Sequence, residues 1–370
     1  MTPGAARQLA ASTYVADPRD ILANVEFREG IVLGAHQPAE VDDGRSDGSV
    51  ARRRWHRGHP WVGFSIVSIV LLLIAVARYR PYYVLGDNAV MRLELSQGLW
   101  KLPSTGVYSR FGFRHPGPAL YWWLYPFVRV FGDRGMMWAA VVFNGGVLTA
   151  IYWQLWRLGR WTLLVPGGAI VCAVVAYSAQ SFLSPWNVWM AQLPVLLALT
   201  LVWAASDGFA PALPGLCATV SWMIQLHAGL AQIGIALALV GSIVWLRSVP
   251  RDRRAGAILA AGCIAFVMWA PPLLEQFAGH GNLGQIVDAM RKPPAIRAGW
   301  SIGLRGVEQA VKFPPAWIHA RPDINPLGNP AAVPWWQVVP FLLAVGSVLL
   351  FARQQQRRLL FPQAIVLMGC

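Results

Sequence analysis

The stretch Trp61-Val-Gly-Phe-Ser-Ile-Val-Ser-Ile-Val-Leu-Leu-Leu-Ile-Ala-Val-Ala77 carries no charged side chain, and Arg52-Arg53-Arg54 with Arg57 stand just before it. An uncharged run of this length reads as a helix over about 62–78 that crosses a bilayer, because in lipid a chain must satisfy its own backbone hydrogen bonds. Working outward, similar runs recur at about 136–156, 161–179, 190–206, 211–226, 229–246, 256–274 and 335–352, and a ninth begins near 359. The expected fold is an all-α polytopic membrane protein.

Composition agrees. Of 370 residues, 56% are hydrophobic and only 13% charged, too few charges to clothe a soluble domain. The net charge of +14 would suggest nucleic acid in a soluble protein. Here it reads instead as basic residues flanking membrane helices, and no nucleic-acid partner is expected. Lysine occurs only at Lys101, Lys292 and Lys312, an arginine skew that points to a GC-rich bacterial genome. The cysteines, Cys172, Cys217, Cys263 and Cys370, lack metal-ligand spacing, and the first three read as small core residues.

Short basic clusters orient the chain. Arg52–Arg54 with Arg57 precede the first apolar run, and Arg157 and Arg160 separate the second from the third. Arg247, Arg251, Arg253 and Arg254 follow the sixth, and Arg353, Arg357 and Arg358 follow the eighth. With eight alternating crossings all four clusters fall on one side, which the positive-inside rule makes cytoplasmic. The expectation is a multi-pass plasma-membrane protein with a disordered cytoplasmic tail over 1–58, a membrane domain over 59–358, and the start of a truncated further helix over 359–370. Loops of about 79–135 and 275–334 then lie outside. Seven cations in the first of these, with Arg78 at its edge, call for an anionic partner.

That loop opens with Val84-Leu-Gly-Asp-Asn-Ala-Val-Met-Arg-Leu-Glu94. On a helix, Asp87 and Glu94 share a face two turns apart. Gly86 permits a tight lead-in, and Asp87 is placed either to cap the helix or to act as a general base toward an acceptor hydroxyl. Further on, Tyr108-Ser-Arg-Phe-Gly-Phe-Arg-His-Pro-Gly-Pro118 is a rigid turn bringing Arg110, Arg114 and His115 to the head of an aromatic segment, Leu120–Phe131. That segment reads as a helix in the outer interface, and arginines at its N-terminus suit an anion.

Gly86-Asp87-Asn88-Ala89, His115-Pro116-Gly117-Pro118 with Tyr121-Trp122-Trp123-Leu124, and Ser184-Pro185-Trp186-Asn187 occur in an order that resembles the GT-C superfamily. These are polytopic glycosyltransferases that use polyprenyl-phosphate sugars, including protein O-mannosyltransferases and lipid A aminoarabinose transferases. Gln225-Leu-His227-Ala-Gly229, Pro271-Pro-Leu-Leu-Glu-Gln276 and Gly279-His-Gly-Asn-Leu283 are similar to segments of uncharacterised bacterial members. The resemblance covers about 60–350. It implies a GT-C-like bundle whose first extracytoplasmic loop carries interfacial helices.

It further implies transfer of a sugar from a polyprenyl-phosphate donor to a cell-envelope glycan, lipid or protein, with the bilayer as a further partner. In that family the first acidic residue of the loop is catalytic, which places the role on Asp87. Many members carry Glu directly afterwards. This chain has Asn88, leaving Glu94 as the nearest second acid. Arg110, Arg114, His115 and Tyr108 become candidates for the lipid phosphate, and Trp186, Asn187, His227, Glu275 and His280 for the rest of the substrate site. The sequence marks no certain cofactor, and a divalent cation is possible. Asp87 with Glu94 is the one pair a divalent cation could share, although two carboxylates alone make no metal motif. The rival readings are a transporter or flippase for a lipid-linked anion, and a catalytically silent membrane scaffold. The lack of an internal repeat counts against the transporter.

Overall fold

A computed structural model describes residues 59–78, 84–109, 111–158, 167–169, 172, 179–292, 300–312, 333–339 and 342–343. Its named helices are α1 (Pro60–Arg78), α2 (Asp87–Ser96), α3 (Ala119–Phe131), α4 (Arg134–Arg157), α5 (Ala179–Leu183), α6 (Trp189–Ser206), α7 (Ala212–Leu226), α8 (Ala231–Ser248), α9 (Arg254–Ala278), α10 (Asn282–Arg291) and α11 (Trp300–Val311). Among the described residues there is no strand, only an isolated antiparallel bridge between Tyr108 and Arg114. The tail, most of the expected spans at 161–179 and 335–352, and the segment from 359 onward lie outside the described residues.

Five helices are long and apolar enough to cross a membrane: α1, α4, α6, α8 with the 3-10 turn leading into it, and α9. The sixth apolar helix, α7, has 15 residues. At 1.5 Å per residue it is about 22 Å long, short of a perpendicular crossing. It is packed among α6, α8 and α9. Burial sorts the rest: 67% of the apolar window is buried in α4 and in α6, but only 17% in α1 and α9 and 22% in α8. So α4 and α6 form the centre. The outward faces of α1, α8 and α9 present Ile66, Val70, Ile235, Leu239, Leu259 and Phe266, a surface suited to lipid.

The two ends of the bundle differ in chemistry. At one end the His59 ring meets Trp156 at 5.0 Å, the Arg157 guanidinium lies 3.4 Å from the centre of the Phe209 ring, and Trp245 donates to the Ala210 carbonyl at 3.0 Å. Arg247, Arg251, Arg253 and Arg254 cluster in the turn at this end. The other end holds α2, the 97–118 loop, α3, the α7–α8 turn and α10. Contacts between Arg92 and Asp133, Asn187 and Leu226, and Arg114 and Asn282 bind them into one layer.

The aromatic helix forms as expected, from Ala119 to Phe131. It is bound more deeply than an interface helix, with Leu120, Tyr121 and Leu124 buried against α4 and α7. Trp122, Val130 and Phe131 remain on its exposed side.

Candidate functional site

The lead-in to α2 turns on Gly86, whose φ of 56° and ψ of −133° few side chains tolerate. Gly86, not Asp87, occupies the N-cap, and no side chain caps the helix. This corrects the capping expectation: Asp87 is the first helical residue, so its carboxylate lies at the positive end of the dipole. Its Oδ2 accepts a 2.9 Å hydrogen bond from the indole Nε1 of Trp186. Asp87 is otherwise exposed.

Trp186 is held by its own motif. Ser184 Oγ accepts from the Trp186 amide at 3.3 Å, and buried Asn187 donates its side-chain N–H to the Leu226 carbonyl at 2.8 Å. Asn187 therefore pins the start of α6 to the end of α7 and is not open to a ligand. From this point Val188, with Ala191, Gln192 and Val195 of α6 and with His227 and Leu230, lines a mainly apolar groove of about 220 Å³. The groove begins two residues after the tryptophan that holds Asp87.

Glu94, on the same face of α2, belongs to a different cluster. Its Oε1 pairs with the Arg114 guanidinium and its Oε2 accepts from the Tyr121 hydroxyl. Burial, and then the hydrogen bond to Glu94, push the Tyr121 phenol above its usual range, so it remains a donor. The Arg114 backbone is gripped as well: its N–H donates to Asn282 Oδ1 and its carbonyl accepts from Asn282 Nδ2, each at 2.9 Å. A carboxylate, a guanidinium and a phenol that satisfy one another form a lock within the first outer loop, and Asn282 ties it to the second. This differs from the expectation that Arg114 stands free for a phosphate and that Glu94 serves as a second catalytic acid. Among the described residues, no three His, Cys, Asp or Glu side chains gather as metal ligands.

His115 turns inward. It is buried, its Nδ1 accepts from the Ala228 amide at 3.2 Å, and its ring lies 4.7 Å from that of His227. His227 Nδ1 accepts from Gly229 N at 3.2 Å. An acceptor at Nδ1 leaves the proton of each neutral imidazole on Nε2. Burial, reinforced by His227, lowers the His115 pKa to about 4, and burial lowers that of His227. Of the two, His227 lines the groove.

Glu275 is spent on backbone: its two oxygens accept from the His280 and Asn282 amides, each at 2.9 Å. It shapes the α9–α10 turn. His280 is exposed, as is Tyr108, and Arg110 lies outside the described residues. Six of the expected site residues fall into three pairs: Asp87 with Trp186, Glu94 with Arg114, and His115 with His227.

Tyr121, Gln225 and Asn282 lie inside the motif segments but have no periodic signal to mark their roles. Gln225 is fully buried, accepting from Ala119 N and donating to the Met268 carbonyl. A Cβ on Gly117 would overlap its side chain, which accounts for glycine in the His-Pro-Gly-Pro turn.

Comparison with known protein families, with characterised proteins and with solved structures finds no match. The chain's own geometry therefore carries the functional reading.

Proposed function

We propose that this protein is a membrane glycosyltransferase that moves a sugar from a polyprenyl-phosphate donor to an acceptor hydroxyl on the extracytoplasmic face. The observation that supports it best is Asp87, an exposed carboxylate at the start of α2 held by the indole of Trp186, two residues along the chain from Val188 of a mainly apolar groove. The arginine-rich end of the bundle is taken as cytoplasmic by the positive-inside rule, and Asp87 then stands outside.

In the proposed reaction the acceptor oxygen attacks the anomeric carbon as its proton passes to Asp87. The bond from that carbon to the phosphate oxygen breaks, and polyprenyl phosphate leaves with the electron pair, so the configuration inverts. Trp186 fixes the orientation of the base. The groove takes apolar chain from the donor. Arg78, Arg129 and Arg134, exposed at helix ends of the same layer, supply positive charge for the phosphate.

The test is donor consumption. The full chain in proteoliposomes is offered a panel of synthetic polyprenyl-phosphate sugars, and released polyprenyl phosphate is measured. Release with a matching donor supports the reading. Movement of intact lipid-linked sugar across the bilayer without release would establish the flippase reading instead.

A further inference from the structure

Helix α11, Trp300–Val311, is amphipathic and has an uncovered apolar side. At 100° per residue, Trp300, Leu304 and Val307 fall within one narrow stripe, and they are 91%, 60% and 59% exposed. Ser301, Arg305, Glu308 and Lys312 lie along one flank of that stripe. In water such a stripe would leave large apolar side chains uncompensated. We propose that α11 lies flat on the membrane surface, with Trp300, Leu304 and Val307 in the boundary between phospholipid headgroups and acyl chains.

Three observations select lipid as the occupant. First, α11 follows α9, a membrane-crossing helix whose last turns expose Leu274 and Phe277 at this end of the bundle. Along the chain, only the short helix α10 separates α11 from this surface already suited to lipid. Secondly, its tether is short. Ile286 of α10 packs with Phe113 and Ala228 in the outer layer. From Lys292 to Trp300 the chain reaches at most about 29 Å, which keeps α11 near the surface that α9 leaves. Thirdly, among the described residues from Arg291 to Lys312, Arg291, Lys292, Arg305 and Lys312 are basic and only Glu308 is acidic. Arg305 and Lys312 flank the stripe, where long cationic side chains reach headgroup phosphates. An indole at the edge of the stripe suits the same depth. The proposal is independent of the glycosyltransferase reading.

The test places a polarity-sensitive fluorophore at Leu304→Cys or at Arg305→Cys, in the full chain with its four native cysteines replaced by alanine. The labelled proteins are reconstituted in phosphatidylcholine–phosphatidylglycerol nanodiscs. The expected result is a blue-shifted probe at 304 that shallow doxyl-lipids quench, and a probe at 305 that aqueous iodide quenches. Iodide quenching at both positions overturns the proposal. So does shielding of 304 from both quenchers, which would mean a protein partner or a second copy covers the stripe. Hydrogen exchange of the unsubstituted chain gives a second measure. Slow exchange over 300–312 in nanodiscs that is lost in lipid-free amphipol supports the proposal, and equal exchange in both overturns it.

Discussion

Trp186 and Asp87, 99 residues apart in the chain, are joined by one hydrogen bond of 2.9 Å from the indole N–H to the carboxylate. If the bond orients the base, Trp186→Phe keeps the ring and loses the aim. The expected outcome is a kcat about tenfold lower, KM for the acceptor little changed and an unaltered melting temperature. A rise in KM at constant kcat would assign Trp186 to substrate binding.

Glu94 has the opposite profile. Its removal strands the Tyr121 hydroxyl and the Arg114 guanidinium, both largely out of water. Glu94→Ala is expected to destabilise the protein by about 2–3 kcal/mol, with Glu94→Gln milder. Thermal unfolding in detergent is the measurement. An unchanged melting curve accompanied by lost activity would return Glu94 to catalysis.

Asn282→Ala removes both side-chain hydrogen bonds to the Arg114 backbone. The expected loss is about 2 kcal/mol, concentrated in the outer layer. Hydrogen exchange should quicken at the Arg114 amide while α4 and α6 keep their protection.

The histidine pair imposes a pH dependence. His115 has a pKa of about 4 in the folded protein and 6.5 when unfolded, so between these values the unfolded chain binds more protons. Stability is therefore full above pH 6.5 and falls as the pH drops toward 4, by up to roughly 1.4 kcal/mol per pH unit for this group. His227, shifted the same way, adds to the slope. Melting temperatures measured across this window should fall, and His115→Gln, which keeps an acceptor for the Ala228 amide, should flatten the decline. A profile unchanged by that substitution would contradict the assignment.

The membrane helices were legible because apolar runs have one outcome in lipid. The runs at 190–206 and 229–246 reappear as α6 and α8 within two residues at every end. The shared face of Asp87 and Glu94 was legible too, but their partners were not. Trp186 and Arg114 reach them from separate segments, and periodicity describes one helix at a time. The same holds for Asn282, 168 residues from the arginine it grips. A count of cations could not show that Arg92 and Arg114 already had carboxylates of their own. The turn at Gly86 was foreseeable from glycine's freedom.

The most direct measurement compares wild-type protein with Asp87→Asn in proteoliposomes, following polyprenyl-phosphate release under single-turnover conditions with saturating acceptor. The account predicts a rate lower by about 10²–10⁴, with melting temperature and donor affinity retained. Release at the wild-type rate from a folded Asp87→Asn protein would contradict it.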